Sequence, residues 1–444
     1  MQLDLRFIVP GPADGTILLT SDGTLPSAAV EGHVDEATVV AATAYLRDVI
    51  GFRMPILETH PRWAGIPEGD PIPTLVLTEA APTGWTPPPD AVFGSIPEVL
   101  DGIPAAILPR AAELLQESRS GSAPPPLRPR WARAGWQPRA SAWMATASAA
   151  AGRPLVSEPR PFYLRGISAL LRAPTSTGHL FLKAVFPPFH AEPAVTRLLA
   201  GRFPASIPRV LAIEADEGWL LVEDVAAPWI GDLPADQRPA GLEAGAHALV
   251  AIQQAIADDV EPLAAAGAPS RPLADVPDAL DTVLGPDGIA MVEGPVSTER
   301  HERAVAATRQ AIDRVSGLGF PTTVVHGDFH PGNAALVDGR AVIIDWSDAA
   351  IGNPLVDLVT WVSWSAAQPD DERVATDAWV DAWSGVTDSA TIRDRIDDIL
   401  VAGAAYQIVS YEGIIAALEP ATRYTMADGA SGFLRRLEEI LDRT

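Results

Sequence analysis

Two short apolar stretches, each delivering an aspartate, constrain this chain more than anything else in it. Val324-Val325 leads into His326-Gly327-Asp328-Phe329-His330-Pro331-Gly332-Asn333, and Val342-Ile343-Ile344 leads into Asp345-Trp346. β-branched runs bounded by Gly, Pro and Asn read as strands entering polar turns. The first turn holds an aspartate, with an asparagine five residues later. The second strand places another aspartate at its C-terminal end. Phosphoryl transfer from a magnesium nucleotide needs this set of groups: one carboxylate accepts the hydroxyl proton, while an Asn oxygen and a second carboxylate hold hard cations against the phosphates. Asp328, Asn333 and Asp345 fit those three roles.

The stretch resembles the catalytic segment of the aminoglycoside phosphotransferase / choline kinase family, small-molecule relatives of the protein kinases. The family's H-G-D-x-x-x-x-N reads here as His326-Gly327-Asp328 and Asn333, and its I-D-[WFL] as Ile344-Asp345-Trp346. Gly352-Asn353-Pro354-Leu355-Val356-Asp357-Leu358 matches the continuation G-[DN]-P-x-x-D-L. The resemblance runs from about Pro161 to the C-terminus and implies an α+β, bilobal, protein-kinase-like fold. It further implies an ATP- and Mg2+-dependent kinase acting on a hydroxyl of an aminoglycoside, amino sugar, sugar or choline-like alcohol. Asp328 would be the base and Asn333 and Asp345 the metal ligands, with His326 and Asp357 bracing the loop.

Composition sets the frame for the rest. At 444 residues the chain is long for one domain. It is 47% hydrophobic and 20% charged, as globular proteins are. No uninterrupted apolar run of about 18 residues occurs and the start lacks a secretory pattern, so a cytoplasmic protein without membrane contact is expected. The absence of cysteine excludes disulfides and thiol chemistry. A net charge of -25 disfavours nucleic acid and anionic surfaces as partners and would attract cationic small molecules, although general solubility is the preferred explanation of it. A small-molecule hydroxyl acceptor is what the resemblance implies. Oligomeric state is not legible.

The chain divides into residues 1–121, an α/β unit; 122–160, a Pro/Arg/Trp linker and helix; 161–226, the kinase-like N-lobe; and 227–444, the C-lobe. In the first unit, 3–9 and 16–20 read as strands paired across the Gly11–Gly15 turn. A helix spans Glu36 to Ile50, a strand 74–78, and another helix Pro109 to Ser118. Gly32, Glu36, Asp48 and Gly51-Phe52 are similar to an eroded Nudix hydrolase box. Ala44, Tyr45 and Val49 stand where that family needs carboxylates, so the scaffold would be inactive. Between Ser118 and Ser157 there is no acidic residue. Arg128, Arg130, Trp131, Arg133 and Trp136 could stack on bases, but packing of this tether against acidic surfaces is the preferred reading.

Lys183 is the only lysine in the chain. It lies in Phe181-Leu182-Lys183-Ala184-Val185, similar to the family's strand lysine, which bridges the α- and β-phosphates of ATP. Glu192, opening the next helix, would be its ion-pair partner. No G-x-G-x-x-G is present, and only Gly166 breaks the first strand; backbone near Gly166 and Ser168 would then cap the phosphates. Backbone around Glu223 to Val225 would meet the adenine edge. Leu242–Ala257 and Thr298–Val315 read as helices, and 273–294 as an exposed, Gly/Pro/Asp-punctuated segment. Trp361, Trp364, Trp379, Trp383, Tyr406, Tyr411 and Glu412, with Asp370, Asp371, Glu372, Asp377 and Asp381, suit either an acceptor wall or a helical core with a solvated acidic face. The competing functional reading is a catalytically weak, kinase-like ligand-binding or sensor protein, which the intact motif residues count against.

Overall fold

The computed structural model describes the chain except for residues 1, 12–15, 32–33, 52–54, 62–69, 96–116, 118–122, 293, 366–369 and 444. It forms two compact units, Met1–Phe186 with Glu419–Thr422, and Pro187–Leu418 with Arg423–Thr444.

The first unit opens with β1 (Gln2–Ile8), β2 (Thr16–Thr20), β3 (Ser27–Glu31), α1 (Val34–Asp48), β4 (Ile56–Pro61), β5 (Ile72–Thr78) and β6 (Ala91–Ser95). One sheet runs β3-β1-β5-β4, with β1 parallel to β5. Leu3, Leu5 and Phe7 alternate into the core, and Phe7 stacks on Tyr45 of α1 at 4.6 Å between ring centroids. The expected pairing of the first two strands is corrected: β2 pairs with β6, and it meets the first strand's continuation only through an isolated Pro10–Ile17 bridge. Both edges of β1 are already taken, by β3 and β5, so no ladder with β2 can continue along it. Ile17, Leu18 and Leu19 are all buried, which a one-faced hairpin with β1 would not achieve. Gly51 at φ +79° ends the α1 region, where Val49 and Ile50 N–H both return to the Tyr45 carbonyl. Of the Nudix-like positions, Gly32, Phe52 and the Glu36 side chain lie outside the described residues; Asp48 pairs with its neighbour Arg47 at the surface. The helix expected over Pro109 to Ser118 also lies outside them, save Glu117.

The linker packs inside this unit. Arg128 is 1% exposed, donates to both Glu117 oxygens at 2.8 and 2.7 Å and to Glu419 at 2.8 Å, and has Glu58 at 3.7 Å. α2 (Trp136–Ala150) buries Trp136, Ala140, Met144 and Ser148, one i,i+4 stripe. Packing against carboxylates, not base stacking, therefore accounts for Arg128. Next come β7 (Arg160–Leu164), β8 (Ser168–Thr175) and β9 (Gly178–Val185), antiparallel neighbours in that order. Gly166 sits in a tight reversal between β7 and β8, closed by Arg165 N–H to Ser168 O at 2.9 Å. Trp131 Nε1 donates to the Arg165 carbonyl at 2.7 Å, tying the linker to that turn.

The second unit holds α3 (Glu192–Arg202), β10 (Val210–Glu214), β11 (Trp219–Glu223), α4 (Arg238–Ile256), β12 (Ser270–Arg271), α5 (Val276–Leu284), α6 (Thr298–Val315) and β13 (Thr323–Val325). It continues through β14 (Ala334–Val337), β15 (Arg340–Ile343), β16 (Ala350–Gly352), α7 (Asp357–Ser363), α8 (Asp371–Trp383), α9 (Ile396–Ala416) and α10 (Ala427–Arg443). The sheet β12-β16-β13 and the hairpin β14-β15 carry the 326–345 motif. The exposed segment expected at 273–294 is corrected: α5 forms there and buries Val276, Leu280, Val283 and Leu284. Pro277 falls in its first turn, where a missing N–H costs nothing. α9 is long and apolar enough by composition to cross a membrane, although Gln407 and Glu412 interrupt its apolar run, and it is largely buried between α5, α6, α7 and α10.

Candidate active site

The loop after β13 is fixed by buried polar groups before any ligand is considered. Asp357, at the start of α7, is fully buried; its carboxylate accepts from His326 N–H at 3.0 Å and Gly327 N–H at 2.8 Å. Gln253 of α4 donates a third bond to it at 2.7 Å. On the other side, Gln407 of α9 donates to the Gly327 carbonyl at 2.6 Å. Gly327 has φ +84°, and a Cβ there would lie 2.6 Å from the Asp348 carbonyl oxygen. Only glycine fits. The residue that follows, Asp328, keeps a side chain 47% exposed.

The two histidines of the loop are both committed. His326 Nδ1 accepts from Asp328 N–H at 3.3 Å, so its proton sits on Nε2 and is donated to the Ile344 carbonyl at 2.9 Å. With one nitrogen accepting and the other donating, His326 cannot serve as a base. His330 Nδ1 accepts from Gly332 N–H at 3.1 Å, which turns its Nε2 toward Asp328 Oδ2, 3.7 Å away. Burial pushes the His330 pKa down, partly opposed by the charge on Asp345, so the ring is neutral at pH 7.

Asn333 and Asp345 meet through the β14–β15 hairpin. Ala334 registers with Ile343, and Ile344 N–H donates to the Asn333 carbonyl at 2.9 Å. The Asn333 amide nitrogen donates to the Asp328 carbonyl at 2.9 Å, which leaves its Oδ1 as an available oxygen ligand. Asp345 has φ +62°, a left-handed conformation that costs about 1–2 kcal/mol for a residue with a Cβ. The Ser347 hydroxyl reaches both Asp345 Oδ1 and, at 2.9 Å, Glu192 Oε2 of α3. The Ser347 hydroxyl thus ties the Asp345 carboxylate to the start of α3.

An oxygen pair of Asn and Asp is a donor set for a hard cation. Among the described residues no group of three or more His, Cys, Asp or Glu side chains converges on a metal position. The protein would thus supply few ligands and leave the others to phosphate and water, the pattern Mg2+ tolerates. The model of the phosphotransferase enzyme family matches residues 164–390, just over half of the chain. The chain belongs to that family.

No curated protein matches this phosphotransferase family member. Among solved structures it is similar to a putative aminoglycoside phosphotransferase from Ralstonia eutropha JMP134 (16% identity, TM-score 0.49, covering 69% of this chain and 98% of that one). It is also similar to the macrolide 2'-phosphotransferase MphH from Brachybacterium faecium (18%, 0.44, 65% and 97%). A third is the choline kinase LicA from Streptococcus pneumoniae (13%, 0.44, 62% and 90%). Family membership rests on the matched segment, and the α+β, kinase-like fold goes with it.

The other expected residues of this family member fall as follows. Lys183 lies on β9, opposite Leu170 of β8, on the face away from the buried Leu180, Leu182 and Ala184. Ser168 begins β8, beside the Gly166 reversal. These three belong to the first unit. In the second, Glu223 ends β11, with Arg209 Nη1 on its carboxylate at 3.1 Å. Asp224 Oδ1 accepts from Ala226 N–H at 3.0 Å, shaping the turn that follows Val225.

Of the two readings left open for the aromatic residues, the helical core holds for three of the tryptophans. Trp361, Trp379 and Trp383 are fully buried; Trp361 stacks on Phe329 at 4.4 Å and Trp379 on Phe320 at 5.6 Å. Glu412 is occupied by the N–H groups of Ile289 and Ala290. Asp371 pairs with Arg238, Glu372 with Arg436, and Asp377 and Asp381 with Arg393. Trp364, 61% exposed, is the aromatic left outward. Ser347, Gln253 and Gln407 were not anticipated. Gln407 carried a signal, a lone amide inside the apolar run Val401–Val409.

Burial pushes the Asp357 carboxyl up to about 7, against its three donors. A pKa raised above that of the unfolded chain means native Asp357 holds a proton that the unfolded chain has lost. Its contribution to stability is therefore full below about pH 4 and falls as pH rises to about 7. Urea unfolding of Asp357→Asn against wild type across pH 4 to 8 should show a destabilised variant whose deficit shrinks through that window and is constant above it. A deficit independent of pH would mean that the carboxylate is ionised throughout.

Proposed function

We propose that this protein transfers the γ-phosphoryl group of ATP to a hydroxyl of a small molecule. The observation that carries the reading is the orientation of Asp328. It is the exposed carboxylate of a loop whose flanking backbone is bound by Asp357, Gln407, His326 and Asn333. Both neighbouring imidazoles are held by hydrogen bonds to the loop itself.

In this reading Asp328 accepts the proton of the acceptor hydroxyl as that oxygen forms its bond to the γ-phosphorus. The bond from phosphorus to the β–γ bridging oxygen breaks, and ADP leaves with the electron pair. Asn333 and Asp345 would hold Mg2+, which when bound supplies positive charge against the phosphates. Ser347 keeps the Asp345 carboxylate in place. Lys183 would hold the α- and β-phosphates, with Gly166 and Ser168 offering backbone N–H groups and Glu223 to Val225 offering backbone to adenine. For those residues the family motif is the support. Most of the acceleration would come from positioning and charge neutralisation, not from covalent chemistry.

The test is magnesium-dependent ADP release against aminoglycosides, amino sugars, sugars, choline and macrolides. Stimulation by one class, lost in Asp328→Asn, is the expected result. ATP binding without turnover for any acceptor would instead favour a sensor, and failure to bind ATP would overturn the reading. Lys183→Ala should raise the ATP concentration needed for half-maximal turnover by about tenfold or more; an unaltered ATP dependence would remove Lys183 from the site.

A further inference from the structure

The family match begins at Leu164, yet the compact unit that holds Gly166, Ser168 and Lys183 runs from the N-terminus to Phe186. These residues therefore share one body with β1 to β6 and the linker, which the match does not cover. α1 and β4 pack on β7. Two bonds from this side fall on successive carbonyls where β7 turns into β8. The Thr59 hydroxyl of β4 donates to the Leu164 carbonyl at 3.4 Å, and Trp131 Nε1 donates to the Arg165 carbonyl at 2.7 Å. Trp131 is 4% exposed and lies in a short 3-10 turn, Arg130–Ala132. The chain around it is held as well: Arg128 lies 3.7 Å from Glu58 of β4, and Arg133 Nη2 returns to the Arg128 carbonyl at 2.7 Å.

What the Trp131 bond does follows from peptide geometry. The Arg165–Gly166 peptide is trans, so its C=O and N–H point to opposite sides of one plane. Holding the Arg165 carbonyl on Trp131 therefore aims Gly166 N–H away from the linker. Glycine at 166 lacks the Cβ that would restrict this peptide, so the bond from Trp131 is what stops it turning over. Arg165 N–H closes the reversal on the Ser168 carbonyl at 2.9 Å, and Phe186 N–H holds the Ile167 carbonyl at 3.3 Å. Among the described residues neither Gly166 nor Ile167 N–H donates to a backbone carbonyl. Two successive N–H groups left outside the ladder suit an anion. Lys183 lies opposite Leu170, two residues along β8 from Ser168 and on the same face. The turn and the ammonium thus stand at one end of one sheet.

We infer that the N-terminal α/β unit with its linker is the positioning element for the phosphate chain of the nucleotide, and that Trp131 is the residue through which it acts. The inference rests on the phosphotransfer reading in taking the anion to be the phosphates of ATP. Trp131 touches no phosphate; it sets the direction of Gly166 N–H, and Thr59 is a second, longer tie on the same turn. Its influence is confined to the phosphates. The backbone expected to meet adenine, Glu223 to Val225, belongs to the second unit, so adenosine lies outside the reach of Trp131.

The test is calorimetric binding of Mg-ATP, ADP and adenosine to the full-length protein, beside turnover and with melting temperatures as a folding control. Trp131→Phe keeps an aromatic ring and removes the donor; Thr59→Val removes the second tie; Trp136→Phe is a packing control at another buried indole of the linker. Trp131→Phe should bind ATP and ADP about tenfold or more weakly, the loss expected for a misaligned hydrogen bond to a charged group, with adenosine unchanged. Its KM for ATP should rise far more than kcat falls. Thr59→Val should show a several-fold loss with the same selectivity, and Trp136→Phe no phosphate-selective loss. Unchanged ATP and ADP affinities in folded Trp131→Phe, an equal loss for adenosine, or the same selective loss in Trp136→Phe would each overturn the inference. Should Trp131→Phe fail to fold, Thr59→Val decides: a phosphate-selective loss supports the inference, and none overturns it. ATP binding and turnover indifferent to Trp131 would sink this inference alone. Trp131-dependent ATP binding without turnover of any acceptor would leave it standing and remove the phosphotransfer reading, and failure of wild type to bind ATP would remove both.

Discussion

Asp328→Asn should lower turnover by about 10²–10⁴-fold, the span of a lost general base, while ATP binding stays close to wild type. The substitution keeps shape and removes the proton acceptor. The structure explains why the loop should tolerate it. Backbone on either side of Asp328 is bound by Asp357, His326, Gln407 and Asn333, and none of those bonds uses the Asp328 carboxylate except the long 3.5 Å approach of Asn333 Nδ2. Circular dichroism and melting temperature should therefore not move while ADP release collapses. Retained turnover in a folded variant would show that no base is needed at that position. His326 could not replace it, because its two ring nitrogens are already one donor and one acceptor.

Asp345→Asn is expected to have the second-largest effect, a fall of about 10²–10³-fold in ADP release, typical of removing one preorganised electrostatic contact. The magnesium concentration for half-maximal activity should rise in the same variant. Asparagine tolerates the left-handed backbone that Asp345 adopts at φ +62°, so the substitution isolates charge from conformation. Asp345→Ala would confound the two, since alanine is strained there. An Asn variant whose magnesium dependence matches wild type would exclude Asp345 as a metal ligand and leave it with Ser347 as a purely structural hydrogen-bonding pair.

The motif was legible because its logic is local. Strand, turn and strand lie within 324–346, and the residue types in the turn are dictated by geometry that acts over a few positions. Gly327 stands where a Cβ would strike Asp348, and Asn333 stands where the next hairpin begins. What sequence reasoning missed was set by distant partners. Whether Trp361 and Trp383 face a ligand or Phe329 and Phe320 depends on helix packing that periodicity does not reveal. Likewise the partner of β2 is β6, some seventy positions away, while both edges of the nearer β1 are taken by β3 and β5. Gln253 and Gln407 looked like ordinary interruptions of apolar helices. Their role exists only because α4 and α9 both abut residues 326–327 and 357.

Arg128 gives the polypeptide a timetable. Its guanidinium is nearly sealed from water, and one of its carboxylates, Glu419, belongs to a four-residue stretch near the end of the chain that forms part of the first unit. During synthesis that carboxylate leaves the ribosome almost three hundred residues after the arginine. Until then Arg128 is short of a partner, and a half-satisfied buried guanidinium disfavours closing the core around it. Full pairing of Arg128 therefore waits for Glu419, in the segment between α9 and α10, 291 positions further along the chain.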